Sequence, residues 1–282
     1  MALLDNTTQV SLFVGAFGSG LDHPECVSCG LDGYAYAGGE AGQVYRIDVE
    51  RRTFAHFASA PGFVGGIAQD GRGNLYACSA GGVQRVKPDG QVSPYATGLQ
   101  TPNYPTFDGN GNLYVSDSGG WKTDDGKLCK IRPGGKVEVW NARLKEFPNG
   151  LALSPDGEYL YVAMSLNPPR VCRVKIQASG SAGAIEALVQ LPQTVPDGLA
   201  FDTRGNLYIS CYRPDRVYCL APDGGLDILA EDYEGTVMAA PTNIAFCGKD
   251  RDVLLGANLG RWHITRYDVD AVGVPLHYPQ ID

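Results

Sequence analysis

Six copies of one short pattern run through this 282-residue chain. A repeat of that length restricts the fold more than any single motif does. The copies are DGYAY, GNLYA, GNLYV, GEYLY, GNLYI and RDVLL, with reference positions Tyr36, Tyr76, Tyr114, Tyr161, Tyr208 and Leu255. Around each, the order is alike: a short apolar strand, a Gly/Asp turn, a second strand carrying the reference residue, a polar loop, then a third strand. The Asx/Gly clusters supply the positive-φ positions that tight hairpin turns need. A fourth strand ends most units, and no helical period appears. The spacing predicts an all-β fold: a six-bladed β-propeller with four-stranded blades, formed by residues 1–282 as a single domain. The first strands are expected at 104–107, 151–154 and 199–202, among others. The last unit lacks a good fourth strand. The segment at 10–14 is placed to supply it, which closes the ring by joining the two ends of the chain and protects both edges.

Stepping back 11 or 12 residues from each reference position gives Glu25, Gly65, Asn103, Asn149, Asp197 and Asn243. Five of these six slots bear oxygen on otherwise apolar strands. Four directly follow a proline, and Asn243 follows Pro241-Thr242. In a propeller the starts of the innermost strands surround one mouth of the central channel, so six distant positions become a ring. Glu25 and Asp197, with amide oxygens from Asn103, Asn149 and Asn243, make an all-oxygen cage. Hard divalent cations prefer such ligands, and calcium, magnesium, manganese and zinc all fit that description. The rival reading is a hydrated polar channel, but two close carboxylates without a cation repel. Gly65 is expected to leave space in the ring.

The loops between second and third strands rise on the same face. They predict a pocket rim in which Trp121, Tyr212 and Trp262 form an apolar or sugar-stacking wall, Arg213 meets an acid group, and Tyr104 shapes the floor. Such a pocket suits a small molecule. His23, two residues before Glu25, is placed near the mouth as an acid/base partner, whereas His56, His263 and His277 read as packing or surface residues. The net charge of −8 argues against nucleic acid and anionic membrane as partners. The stretch MALLDNTTQVSLFVG has no basic start, so no signal peptide is expected. The eight cysteines then read as free thiols in a reducing cytoplasm. Cys26-x-x-Cys29 lies on a predicted strand with no second Cys/His pair, which favours core over zinc. No Gly-x-Ser-x-Gly motif occurs.

The chain resembles the SMP-30/gluconolactonase/luciferin-regenerating-enzyme family. The resemblance rests on His23-Pro24-Glu25, Phe147-Pro148-Asn149-Gly150-Leu151-Ala152, Val195-Pro196-Asp197-Gly198-Leu199-Ala200 and Pro241-Thr242-Asn243-Ile244-Ala245-Phe246. It implies a six-bladed propeller with one catalytic divalent metal held by Glu25, Asn149 and Asp197. It also implies that Asn103 contacts substrate or bound water, and that a lactone is hydrolysed. Asp197 is then the candidate general base, with Asn103 helping to stabilise the oxyanion. Two departures leave the substrate open. Sugar-lactonase members usually carry Gly-Pro and then Trp after the glutamate, where Cys26-Val27-Ser28 stands here. They also often carry a basic residue where Thr101 stands. Three function classes follow: a metal-dependent lactonase; a lyase, isomerase or condensing propeller enzyme such as the metal-free strictosidine synthase group; and a ligand-binding or scaffold propeller.

Overall fold

The structure, a computed structural model, describes residues 2–281. Met1 and Asp282, the ends of the predicted domain, lie outside the described residues. Among these residues there is no helix, and the strands form six four-stranded antiparallel sheets, the blades of a propeller. In each blade the strands follow chain order outward from the axis. Blade 1, for instance, consists of Cys26–Cys29, Ala35–Gly38, Gln43–Asp48 and Thr53–Ser59. Blade 6 differs. Its strands Pro241–Cys247, Val253–Asn258 and Ile264–Tyr267 are completed by Val10–Val14, which pairs antiparallel with Ile264–Tyr267.

The hydrophobic core is divided into six clusters, one at each seam between neighbouring blades. The cluster between blades 6 and 1 joins Phe13, Val14 and Ile264 to Val27, Tyr45 and Ile47. The recurring tyrosine of the sequence pattern packs across these seams. Tyr76 meets Phe107, Tyr161 meets Phe201, and Tyr208 meets Phe246. Ring centroids are 5.1, 4.8 and 5.2 Å apart, and the rings are edge to face. Each pair adds about 0.5–1.5 kcal/mol beyond its buried area.

The innermost strands begin earlier than the sequence pattern suggests. In blades 3 to 6 they are Pro102–Phe107, Pro148–Leu153, Val195–Phe201 and Pro241–Cys247, so the slot residue lies inside the strand. The reason is a β-bulge at the same place in all four. Pro102 pairs with Asp117 and Pro105 with Val115; Pro148 pairs with Met164 and Leu151 with Val162. Blades 5 and 6 repeat this three-against-two step. The bulge breaks period-2 alternation at the slot, which hides the strand start from pattern reading. A proline before the bulge needs no ladder hydrogen bond from its nitrogen.

Candidate metal and substrate site

In blades 3 to 6 the bulges fall at the slot residues, and Glu25 precedes the first strand of blade 1 without one. Glu25, Asn149, Asp197 and Asn243 are buried at one mouth of the channel, and Asn103 is half-buried. Asn149 Nδ2 donates to Asp197 Oδ2 at 2.9 Å and to Ser165 Oγ at 3.3 Å. Burial raises the Glu25 carboxyl well above its ordinary range, and the nearby Asp197 charge adds to this. Burial raises Asp197 in the same direction, opposed by the Asn149 hydrogen bond. Two buried oxygens, Glu25 Oε2 and Asn243 Oδ1, have no hydrogen-bond partner. Such orphans cost about 1–3 kcal/mol each when nothing meets them. Mutually repelling carboxylates with unmet oxygens form a donor set that fits a hard divalent cation.

A chain of hydroxyls fixes the peptide before three of the slots and the peptide after Glu25. Ser118 Oγ donates to the Pro148 carbonyl at 2.7 Å, Ser165 Oγ to the Pro196 carbonyl at 2.7 Å, and Ser210 Oγ to the Thr242 carbonyl at 2.8 Å. Thr242 Oγ1 donates to the Glu25 carbonyl at 2.7 Å. Every link crosses from one blade to the next. Ser118, just after the second strand of blade 3, is fully buried beneath the rim. The signal was present in serines two to four residues after the reference tyrosines, at Ser79, Ser116, Ser118, Ser165 and Ser210.

Gly65 corrects a second expectation. A Cβ there would lie 2.8 Å from the Asn103 carbonyl oxygen, so the neighbouring strand already fills the gap. Gly198, after Asp197, has the same role: a Cβ would lie 2.6 Å from the Asn243 Cα. The Gly of the Pro-Asp-Gly-Leu segment thus lets adjacent inner strands come close enough for the slots to meet.

Tyr104 crosses the channel. Burial raises its phenol, with the Asn243 side chain opposing by a hydrogen bond from the diametrically opposite blade. On the far side of Tyr104 is a cavity of about 400 Å³, lined by the downstream ends of the inner strands and closed by residues 274–278. No Asp, Glu, Lys or Arg lines it. The buried carboxylates are at the other mouth.

The expected rim residues are distributed around that mouth. Tyr212 is half-buried and close enough to Asp197 and Glu25 that their charges, after burial, push its phenol up. Arg213 is exposed, and Trp121 is 47% exposed. His23 packs against Trp262 with ring centroids 5.1 Å apart. Its Nδ1 lies 2.7 Å from Asp22 Oδ1 and 3.5 Å from Glu40 Oε2. Asp22, His23 and Glu40 hold possible ligand atoms within 4.8 Å of one another. This group is more open than the slot ring and internally satisfied, because Gln43 Nε2 also donates to Asp22 at 3.1 Å. The slot ring is the more buried of the two and the one with unmet oxygens. Asp22 and the aromatic residues Phe17 and Phe147 were not anticipated, since loop contacts carry no sequence period. His263 is buried, with Nε2 on the Val237 carbonyl at 2.8 Å, which agrees with a packing role.

A six-bladed propeller with an oxygen-lined mouth defines the class. The chain belongs to the SMP-30/gluconolactonase/LRE-like family, whose model matches residues 40–255. A gluconolactonase of Zymomonas mobilis is 29% identical over 145 residues, 45% of this chain and 40% of that protein. The chain thus spans well under half the length of that curated relative. Among solved structures, a luciferin-regenerating enzyme superposes with a TM-score of 0.77 at 17% identity, covering 95% of this chain and 99% of that one. The regucalcin of Agrobacterium tumefaciens, described as a calcium-binding protein, gives 0.74 at 17% identity, covering 96% and 95%. At such identity these two likenesses speak for the fold. Among the described residues no helix is long and apolar enough to cross a membrane.

Proposed function

We propose that this protein is a divalent-metal-dependent hydrolase that opens a lactone. The observation that carries the reading is the pair of unmet oxygens, on Glu25 and Asn243, beside two buried carboxylates that repel each other. Family membership and the gluconolactonase likeness support the lactone. Glu25, Asn149 and Asp197 hold the cation, and calcium, magnesium, manganese and zinc all suit the donors. When bound, the ion polarises the lactone carbonyl and acidifies a water. Asp197 takes the proton from the attacking water. Asn103 steadies the carbonyl oxygen as charge develops on it. The water oxygen bonds to the carbonyl carbon, the acyl C–O bond of the ring breaks, Asp197 returns its proton to the ring oxygen, and a hydroxy acid leaves. Tyr104 forms the floor, and Trp121, Tyr212, Arg213, Trp262 and His23 contact the substrate. A reducing compartment such as the cytoplasm suits eight unpaired thiols, of which all but Cys219 are buried.

The test is to strip the protein with chelator, then restore calcium, magnesium, manganese or zinc across a lactone panel. Turnover is expected to vanish with chelation and to return with at least one ion. Full turnover by metal-free protein would sink the reading.

A further inference from the structure

The mouth carries two aromatic walls. On one side, the Trp262 indole packs against Phe17, with centroids 4.8 Å apart, and against His23 at 5.1 Å. On the other, Trp121 packs against Phe147 at 4.9 Å. The walls are built alike. Trp262 lies between the second and third strands of blade 6 and meets a residue two positions before Glu25 in blade 1. Trp121 lies between the second and third strands of blade 3 and meets a residue two positions before Asn149 in blade 4. In a ring of six, the 6/1 and 3/4 seams are half a turn apart. The walls therefore face each other across the mouth, each with a slot oxygen at its foot.

These rings are costly to leave in water. Phe17 is 82% exposed, Trp121 47% and Phe63, two positions before Gly65, 43%. Exposed aromatic surface concentrated around one polar mouth marks a ligand rather than packing. Phe17, Trp262, Trp121 and Phe147 offer ring faces and edges. At the third-blade counterpart of His23 and Phe147, Thr101 brings no cation.

We infer that the site selects lactones bearing an apolar substituent, an alkyl tail or an aryl ring held between the Trp121 and Trp262 walls, over sugar-acid lactones. The inference rests on the lactonase reading, and its test separates the two. The probes are γ-alkyl-γ-butyrolactones with tails from methyl to heptyl, D-glucono-1,5-lactone, and the matching 5-alkyl-2-pyrrolidinones, whose amide resists hydrolysis. With metal-loaded protein, kcat/KM is expected to rise about two- to fourfold per methylene, the scale of burying a CH2 group, until the tail fills the cleft. Pyrrolidinone binding, followed by tryptophan fluorescence, should rise in parallel. Trp121→Ala and Trp262→Ala should each flatten that slope, cutting the heptyl-to-methyl ratio about tenfold. Pyrrolidinone binding with this slope but without lactone turnover would overturn the lactonase reading and uphold the walls. Lactone turnover with a flat slope, or a preference for the gluconolactone, would overturn the walls and uphold the lactonase. Neither binding nor turnover would overturn both.

Discussion

Glu25 and Asp197 set opposite demands on stability and function. Both carboxyls are raised by burial, and the Asp197 charge raises Glu25 further. In metal-free protein the folded state therefore keeps protons that the unfolded chain releases. That contribution is full below the ordinary carboxylate range and is lost as pH rises toward the raised values. Metal-free protein is thus expected to melt at progressively lower temperature from about pH 4 upward. Added cation should stabilise it more at pH 8 than at pH 5, because ligation needs both carboxylates ionised. Melting curves across pH, with chelator and with calcium, check both slopes, and a metal-free Tm that climbs with pH would contradict the coupling. Glu25→Gln removes one charge of the pair. Its metal-free form should be more stable than wild type at pH 8, read as a higher Tm in the same melting curves, because the buried charge no longer has a like neighbour. The same variant should lose the cation's stabilising effect together with turnover.

The repeat also builds a motif that pattern reading took only as a turn. Asp202 is fully buried; its Oδ1 accepts from the Arg204 and Asn206 backbones, both at 2.9 Å. Its Oδ2 accepts from Asn206 Nδ2 at 2.8 Å and Tyr208 Oη at 3.2 Å. Asp70, Asn74 and Tyr76 repeat the arrangement in blade 2. The glycines made the hairpin legible in the sequence, but the reason for Asp and Asn beside them is side-chain scaffolding, which backbone logic does not reach. Asp202→Ala leaves four donors without their acceptor and is expected to cost about 2–4 kcal/mol, read by urea denaturation. The inner-strand bulges were missed for a related reason: an extra residue shifts the alternation that marks a strand. At the site end of blade 4, Ser165 positions both Asn149 and the peptide before Asp197. Ser165→Ala should cost about 1 kcal/mol in stability and weaken cation affinity about tenfold, as loss of a ligand's supporting hydrogen bond does. Calcium titration by calorimetry measures it, and unchanged affinity would reduce Ser165 to a packing residue.

At the scale of the molecule, what the sequence made legible was whatever recurs. The period defined the blades, and the polar slots pointed to one mouth. Trp121, Trp262 and His23 were legible as mouth residues from their place in the repeat, but their contacts with Phe147, Phe17, Asp22 and Glu40 come from loops that meet only after the ring forms. The seam between blades 6 and 1 shows how far the site depends on the ring. The strand Val10–Val14 covers the edge of Ile264–Tyr267; its Phe13 and Val14 are buried in this seam, and its Val10 in the one between blades 5 and 6. Burying three such side chains stabilises by about 1.5–3 kcal/mol each, a sum comparable to the whole stability of an ordinary domain. Glu25 and Asn243 stand on opposite sides of this seam, tied by Thr242 Oγ1 to the Glu25 carbonyl. A chain lacking residues 1–14 is therefore expected to lose cooperative unfolding and cation binding together. The bare strand edge should also drive self-association on size-exclusion chromatography. If the shortened chain bound calcium as tightly as the full one, blades 1 and 6 would hold the slots in place without the seam. The hydroxyl chain from Ser118 to Thr242 would then be what fixes the ring.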